Sequence, residues 1–197
     1  MTGLCFESPN DTTHVLIKCN FKTMPPTQQI PENQTEQLVA TGCLATGSGT
    51  GVIRSTPMGS CVAVVAYDKT LKTGGIAHIM LPGKSPAKNK AEENKYAENA
   101  IENLLDTLKS LGSKKANIEI CLVGGANVLR KENDTTADNL IFSIFEMMER
   151  KKLSIKRTSL GGYERRAATL NLSSGVVNYT VGDSIEMKLW KFTDIKT

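Results

Sequence analysis

CVAVVAYDKTLKTGGIAHIMLP, residues Cys61 to Pro82, decides how the chain is read. Its two apolar runs, "CVAVVAYD" and "GGIAHIMLP", suit buried strands, and "KTLKT" between them is short enough for a hairpin-like connection. That places Cys61 where a glycine turn becomes a strand and His78 on the neighbouring strand. Free cysteine is among the most buried residue types, so Cys61 reads either as a small core hydrophobe or as a nucleophile displayed at a strand edge. An imidazole inside an apolar strand must find a hydrogen-bond partner or be costly to bury, so His78 reads either as a satisfied core residue or as a base.

Working outward, "QLVATGCLATG" and "GVIRS" predict short strands around a Gly-rich turn. From Glu92 to Gly112, Tyr96, Ala97, Ala100, Ile101, Leu104, Leu105, Leu108 and Leu111 recur at helical spacing, with Gly112 as C-terminal cap. "NIEICLVGGAN" predicts a buried strand ending in a glycine turn. A second helix is expected from about Thr136 to Lys152, opened by Asp134 or Thr135, with Leu140, Ile141, Ile144, Phe145 and Met148 on one face. "LSIKRTSLGG", "RRAATLNLSSG", "VVNYTVG" and "SIEMKLWKF" then predict short strands that close the chain as a meander. Strands alternating with helices, followed by antiparallel strands, argue for a layered α/β domain built on a mixed sheet. Residues 1–36, rich in Thr, Pro, Asn and Gln, are expected to be a partly disordered extension in which "HVLIKCNF" could form one strand; residues 37–197 are expected to be the domain.

Composition narrows the function classes. At 197 residues, 40% hydrophobic and 22% charged, the chain can bury a full core. An aromatic fraction of 5% and a net charge of +4, with basic and acidic residues interspersed, argue against a nucleic-acid platform. No apolar run approaches the length that spans a bilayer, so membrane insertion is not expected. The five cysteines fall at irregular spacings without a CxxC pair. This predicts reduced thiols in the cytoplasm, no disulfide framework and no metal site.

"TGSGTG" at Thr46 to Gly51 lacks the Lys-Ser/Thr of a phosphate loop and reads as a strand-connecting turn. The pairs Gly124–Gly125 and Gly161–Gly162, each at a strand end, serve turn geometry or let backbone walls approach a substrate as a rim. Cys61 stands out among the cysteines because it follows Gly59 and Ser60 directly, so backbone amides are available beside its sulfur. It also adjoins the strand of the only core histidine. A thiol needs a base to become a thiolate near neutral pH, which makes Cys61 and His78 a plausible nucleophile and base. A third group would orient the imidazole; Ser55 and Thr56 are the hydroxyl candidates and Asp68 the carboxylate one.

These residues, with "KYAENAIENLLDTLKSLG", "IEICLVGGANVL" and "SLGGYERRAATLNLSSGVV", resemble the CheD family of chemoreceptor glutamine deamidases over roughly Leu38 to Ser184. The resemblance implies a layered α/β/β sandwich that hydrolyses glutamine side chains on the cytoplasmic helices of chemoreceptors to glutamate. It makes Cys61 the nucleophile, His78 the general base, and the turn at Gly59 and Ser60 the oxyanion site. The family's third residue, a threonine six positions before the cysteine, is Ser55 here, and Pro57 replaces a glycine of the family's turn, so either Ser55 or Thr56 could orient His78. No cofactor is implied. The implied partners are the receptor helices and a CheC-type phosphatase, with the chain a monomer when free.

Overall fold

The computed structural model describes residues 35–86 and 90–192. The segment "HVLIKCNF" and nearly all of the expected extension lie outside the described residues. Among the described residues, ten strands form two five-stranded sheets. One has the order β1 (Glu36–Val39), β3 (Val52–Ser55), β8 (Arg166–Asn171), β9 (Val176–Val181) and β10 (Met187–Lys191). The other has the order β2 (Leu44–Ser48), β5 (Thr73–Ile79), β4 (Val62–Asp68), β6 (Ile118–Gly124) and β7 (Ser154–Leu160). Both are mixed, because β1 runs parallel to β3 and β6 parallel to β7. After the single turn α1 (Lys90–Glu93), helices α2 (Ala97–Ser110) and α3 (Thr136–Arg150) complete the α/β/β sandwich expected from the sequence.

Strand alternation explains the layers. On β4, Val62, Val64 and Ala66 join the cluster beneath the helices, with Ile101, Leu104, Leu108, Leu140 and Ile144. Ala63, Val65 and Tyr67 point the other way, into a cluster between the sheets with Ile53, Leu170, Val177 and Phe192. All seven residues of β4 are buried, as suits a central strand covered on both faces. Each fully buried aliphatic side chain contributes about 1.5–3 kcal/mol, so β4 is a main source of cohesion for both layers. Tyr67 anchors the inter-sheet layer by stacking on Phe192 at 5.3 Å between centroids and donating its hydroxyl to Leu172 O at 2.7 Å.

Four expectations are corrected in detail. The "LSIKRTSLGG" strand does not join the meander: it is β7, returned parallel to β6 by α3, and the antiparallel meander is β8–β9–β10. The first main helix starts at Ala97 rather than Glu92, because Tyr96 is extended and Leu81 pairs with it. It ends as expected, the Ser113 N–H donating back to Leu108 O at 3.0 Å beyond Gly112. Phe145 is 41% exposed, because the buried stripe of α3 runs through Leu140, Ile144, Met147 and Met148. Cys43 is disulfide-bonded rather than reduced, while Cys61 and Cys121 are free. Among the described residues no helix is long and apolar enough to cross a membrane.

Candidate active site

Cys61 immediately precedes β4 and is half-buried. Backbone bonds fix the turn before it. Met58 N–H donates to Arg166 O at 2.7 Å and Arg166 N–H returns to Met58 O at 3.0 Å. Across the gap to β6, Gly125 N–H donates to Cys61 O at 2.7 Å and Ala126 N–H to Gly59 O at 2.9 Å. Gly124 makes this approach possible. Its φ is +121°, and a Cβ there would stand 2.3 Å from the Cys61 carbonyl oxygen.

That bonding leaves donors free. Among the described residues no carbonyl accepts from the amides of Gly59, Ser60 or Cys61, and the Cys61 N–H instead turns toward its own sulfur. Cys61, Gly59 and Ser60 line a cavity of about 410 Å³, walled by Pro57, Met58, Ala126, Val128, Leu129 and the start of α3. Unspent amides beside a thiol at the edge of an apolar cavity can stabilise a developing oxyanion.

His78 lies across the hairpin. It pairs with Ala63, two residues past Cys61, so its side chain and that of Cys61 leave the same sheet face as diagonal neighbours. The imidazole is fully buried. Its Nδ1 stands 3.4 Å from Val39 O and 3.2 Å from Thr56 Oγ1, and its Nε2 stands 3.4 Å from Thr41 Oγ1. A carbonyl can only accept, so the contact with Val39 assigns the proton to Nδ1 and leaves the Nε2 lone pair as the basic site. Among the described residues no hydrogen bond joins the Cys61 sulfur to the ring. Such contacts commonly tighten only when substrate is seated.

Burial sets both protonation states. It lowers His78 from its ordinary 6.5 to about 4, with the Val39 contact opposing, and raises the Cys61 thiol above its ordinary value, with its own amide opposing. The resting pair near neutral pH is therefore a neutral thiol and a neutral imidazole rather than an ion pair.

Thr56 Oγ1, not Ser55, meets the ring. Ser55 is buried on the sheet's other line of duty, its Oγ accepting from Ala168 N–H at 2.9 Å across to β8. Asp68 lies at the far end of β4, opposite Thr73, where its Oδ1 accepts from Thr70 N–H at 2.9 Å and so cannot reach His78. Gly124 and Gly125 hold Cys61 from behind rather than lining the cavity. Gly161 N–H donates to Gly124 O at 3.0 Å, and Gly162 O accepts from Asn127 N–H at 2.9 Å, so the second pair steadies the cavity wall. Sequence reasoning missed Val39 and Thr41. Their only signal was the "ATGC" turn, whose meeting with His78 depends on β1 and β5 lying in facing sheets.

A thiol and an imidazole on adjacent strands, with free amides beside the sulfur, make up the parts of a nucleophilic acyl-transfer site. Comparison with known proteins is consistent with that class. The model of the family described as CheD chemotactic sensory transduction matches residues 80–180, a span that begins just after His78. The chain is 38% identical over 161 residues to a probable chemoreceptor glutamine deamidase CheD of Chlorobium luteolum, covering 81% of this chain and 80% of the relative. It is 38% identical over 126 residues to a protein of the same name from Methanococcus maripaludis, covering 62% of this chain and 80% of that one. The chemoreceptor glutamine deamidase CheD of Thermotoga maritima is 27% identical over 156 residues, covering 78% of this chain and 98% of that protein. The chain belongs to the CheD family.

Proposed function

We propose that this chain is a protein-glutamine deamidase that hydrolyses glutamine side chains of chemoreceptors to glutamate. The observation that carries the reading is Cys61, half-buried at the edge of the cavity beside unspent amides and on the same sheet face as a neutral, oriented His78. Family membership supplies the substrate class.

In this reading His78 Nε2 takes the Cys61 proton as sulfur attacks the side-chain amide carbon. The oxygen charge that develops is met by the amides of Ser60 and Cys61, with Gly59 shaping the turn. Collapse breaks the carbon–nitrogen bond, and the imidazolium gives its proton to the leaving ammonia. Water, deprotonated by the same imidazole, then attacks the thioester, releasing glutamate and returning the proton to sulfur. Thr56 orients the ring through Nδ1. No metal or organic cofactor has a part in these steps.

The substrate surface would be one face of a receptor's cytoplasmic helices; in this reading the protein works in the cytoplasm as a monomer and also engages a CheC-type phosphatase. Residues 37–197 would form the deamidase domain and residues 1–36 an extension to it. The test is mass spectrometry of receptor cytoplasmic fragments incubated with the protein and with Cys61→Ala. Site-specific conversion of glutamine to glutamate that vanishes in the variant supports the reading. Conversion of glutamyl methyl esters alone would make the chain an esterase, and no conversion with retained receptor binding would make it an adaptor.

A further inference from the structure

The turn between β1 and β2 is built onto His78. Cys43 N–H donates to Ala40 O at 3.0 Å, and Gly42, at φ +74°, occupies the third position of that turn, as a type II turn requires. Two further bonds strap the turn to the histidine's own backbone: Gly42 N–H donates to His78 O at 2.8 Å, and His78 N–H donates to Cys43 O at 2.9 Å. The remaining central residue, Thr41, is exposed, yet its Oγ1 stands 3.4 Å from His78 Nε2.

We propose that Thr41 is a positioning residue for the imidazole, its hydroxyl donating to the Nε2 lone pair and holding the ring with the basic nitrogen fixed in place. Three contacts then act on two nitrogens. Val39 O accepts from the Nδ1 proton, Thr56 Oγ1 sits on the same nitrogen, and Thr41 marks the other as the acceptor. Without Thr41 the Nε2 side has no hydrogen-bond partner among the described residues, so only the Nδ1 contacts with Val39 and Thr56 oppose ring rotation and proton exchange between the nitrogens. A threonine hydroxyl both donates and accepts, so it can release the lone pair when the Cys61 proton arrives.

The catalytic consequence rests on the deamidase reading, so the test has one arm that needs no substrate. Nitrogen NMR of ring-labelled His78 is recorded for the wild type, Thr41→Val and Thr41→Ser, with circular dichroism melting to confirm that each is folded. The wild type is expected to show one tautomer with Nδ1 protonated, the valine variant a mixture, and the serine variant the wild-type pattern. In turnover, Thr41→Val is expected to lower kcat by about 10- to 100-fold with KM within about twofold, and Thr41→Ser to restore most of it. A valine variant with an unmixed tautomer and unchanged kcat overturns the proposal. If the wild type deamidates no receptor, the deamidase reading fails, and the NMR comparison alone still decides whether Thr41 holds the ring.

Discussion

The two ends of β4 are built from similar materials and end in opposite states. At its C-terminal end the buried Asp68 carboxylate accepts from the amides of Thr70 and Leu71, so the turn's donors are consumed locally. At its N-terminal end the amides of Gly59, Ser60 and Cys61 meet no carbonyl among the described residues, because the partners across the gap bond instead to the carbonyls of Gly59 and Cys61. A strand end that spends its donors is a turn. One that keeps them beside a thiol can stabilise charge that is not yet there.

The sharpest break of that comparison is to remove one side chain from each end. Cys61→Ala should abolish deamidation, by on the order of 10⁴-fold or more, with little change in melting temperature. Asp68→Asn should leave kcat intact and cost only about 1 kcal/mol in urea unfolding, the value of a weakened local hydrogen bond. The two free thiols among the described residues extend the test. Iodoacetamide should label Cys61 at a rate that keeps rising with pH past the ordinary thiol range, because burial raises its pKa, and should leave the fully buried Cys121, pushed up to about 12, unlabelled in the native state.

His78 gives the next largest effect, as a dependence on pH. Its pKa is lowered from 6.5 to about 4 by burial, so as pH falls the unfolded chain binds this proton before the folded one does. From this group alone the folded state should lose about 3 kcal/mol as pH drops from 6.5 toward 4, with no further loss below that. Urea unfolding near pH 7 and near pH 4 should show that slope in the wild type and a shallower one in His78→Asn. An equal slope in both would mean that the imidazole is not held neutral.

Gly124→Ala separates support from chemistry. Its Cβ would press on the Cys61 carbonyl at a φ unsuited to alanine, and we expect a loss of about 2–4 kcal/mol together with reduced kcat. Gly161→Ala, where a Cβ meets nothing within 4 Å, should cost only the strain of its own φ, about 1 kcal/mol. The smallest effects divide the two neighbouring hydroxyls. Thr56→Val should lower kcat by about tenfold with stability nearly unchanged. Ser55→Ala should cost about 1–2 kcal/mol by leaving the Ala168 N–H unpaired, and should spare kcat. The reverse outcome would return the orienting role to Ser55.

Much of this was legible before any coordinates. The hairpin carrying Cys61 and His78 followed from two apolar runs and a short connection, and both helices followed from their apolar spacing, because each signal is local. The parallel return of β7 was not legible. Its exposed positions look like those of a meander strand, and only α3 packing over the sheet turns the chain back beside β6. Phe145 misled for a related reason: spacing defines a stripe, but the neighbours decide how wide a stripe is covered.

The sequence by itself determined a layered α/β domain with a thiol at a strand edge and an imidazole on the adjoining strand, since strand period and turn chemistry act over a few residues. The tertiary structure decided which groups hold that imidazole. Val39, Thr41 and Thr56 come from β1, its following turn and the end of β3, and reach His78 on β5 only because two sheets pack face to face. Ser55, the last residue of β3, shares its buried face with Ile53 and is taken up by the bond across to β8. Thr56 lies just beyond the end of β3, where strand alternation no longer sets its side chain, and it is this residue that meets the ring.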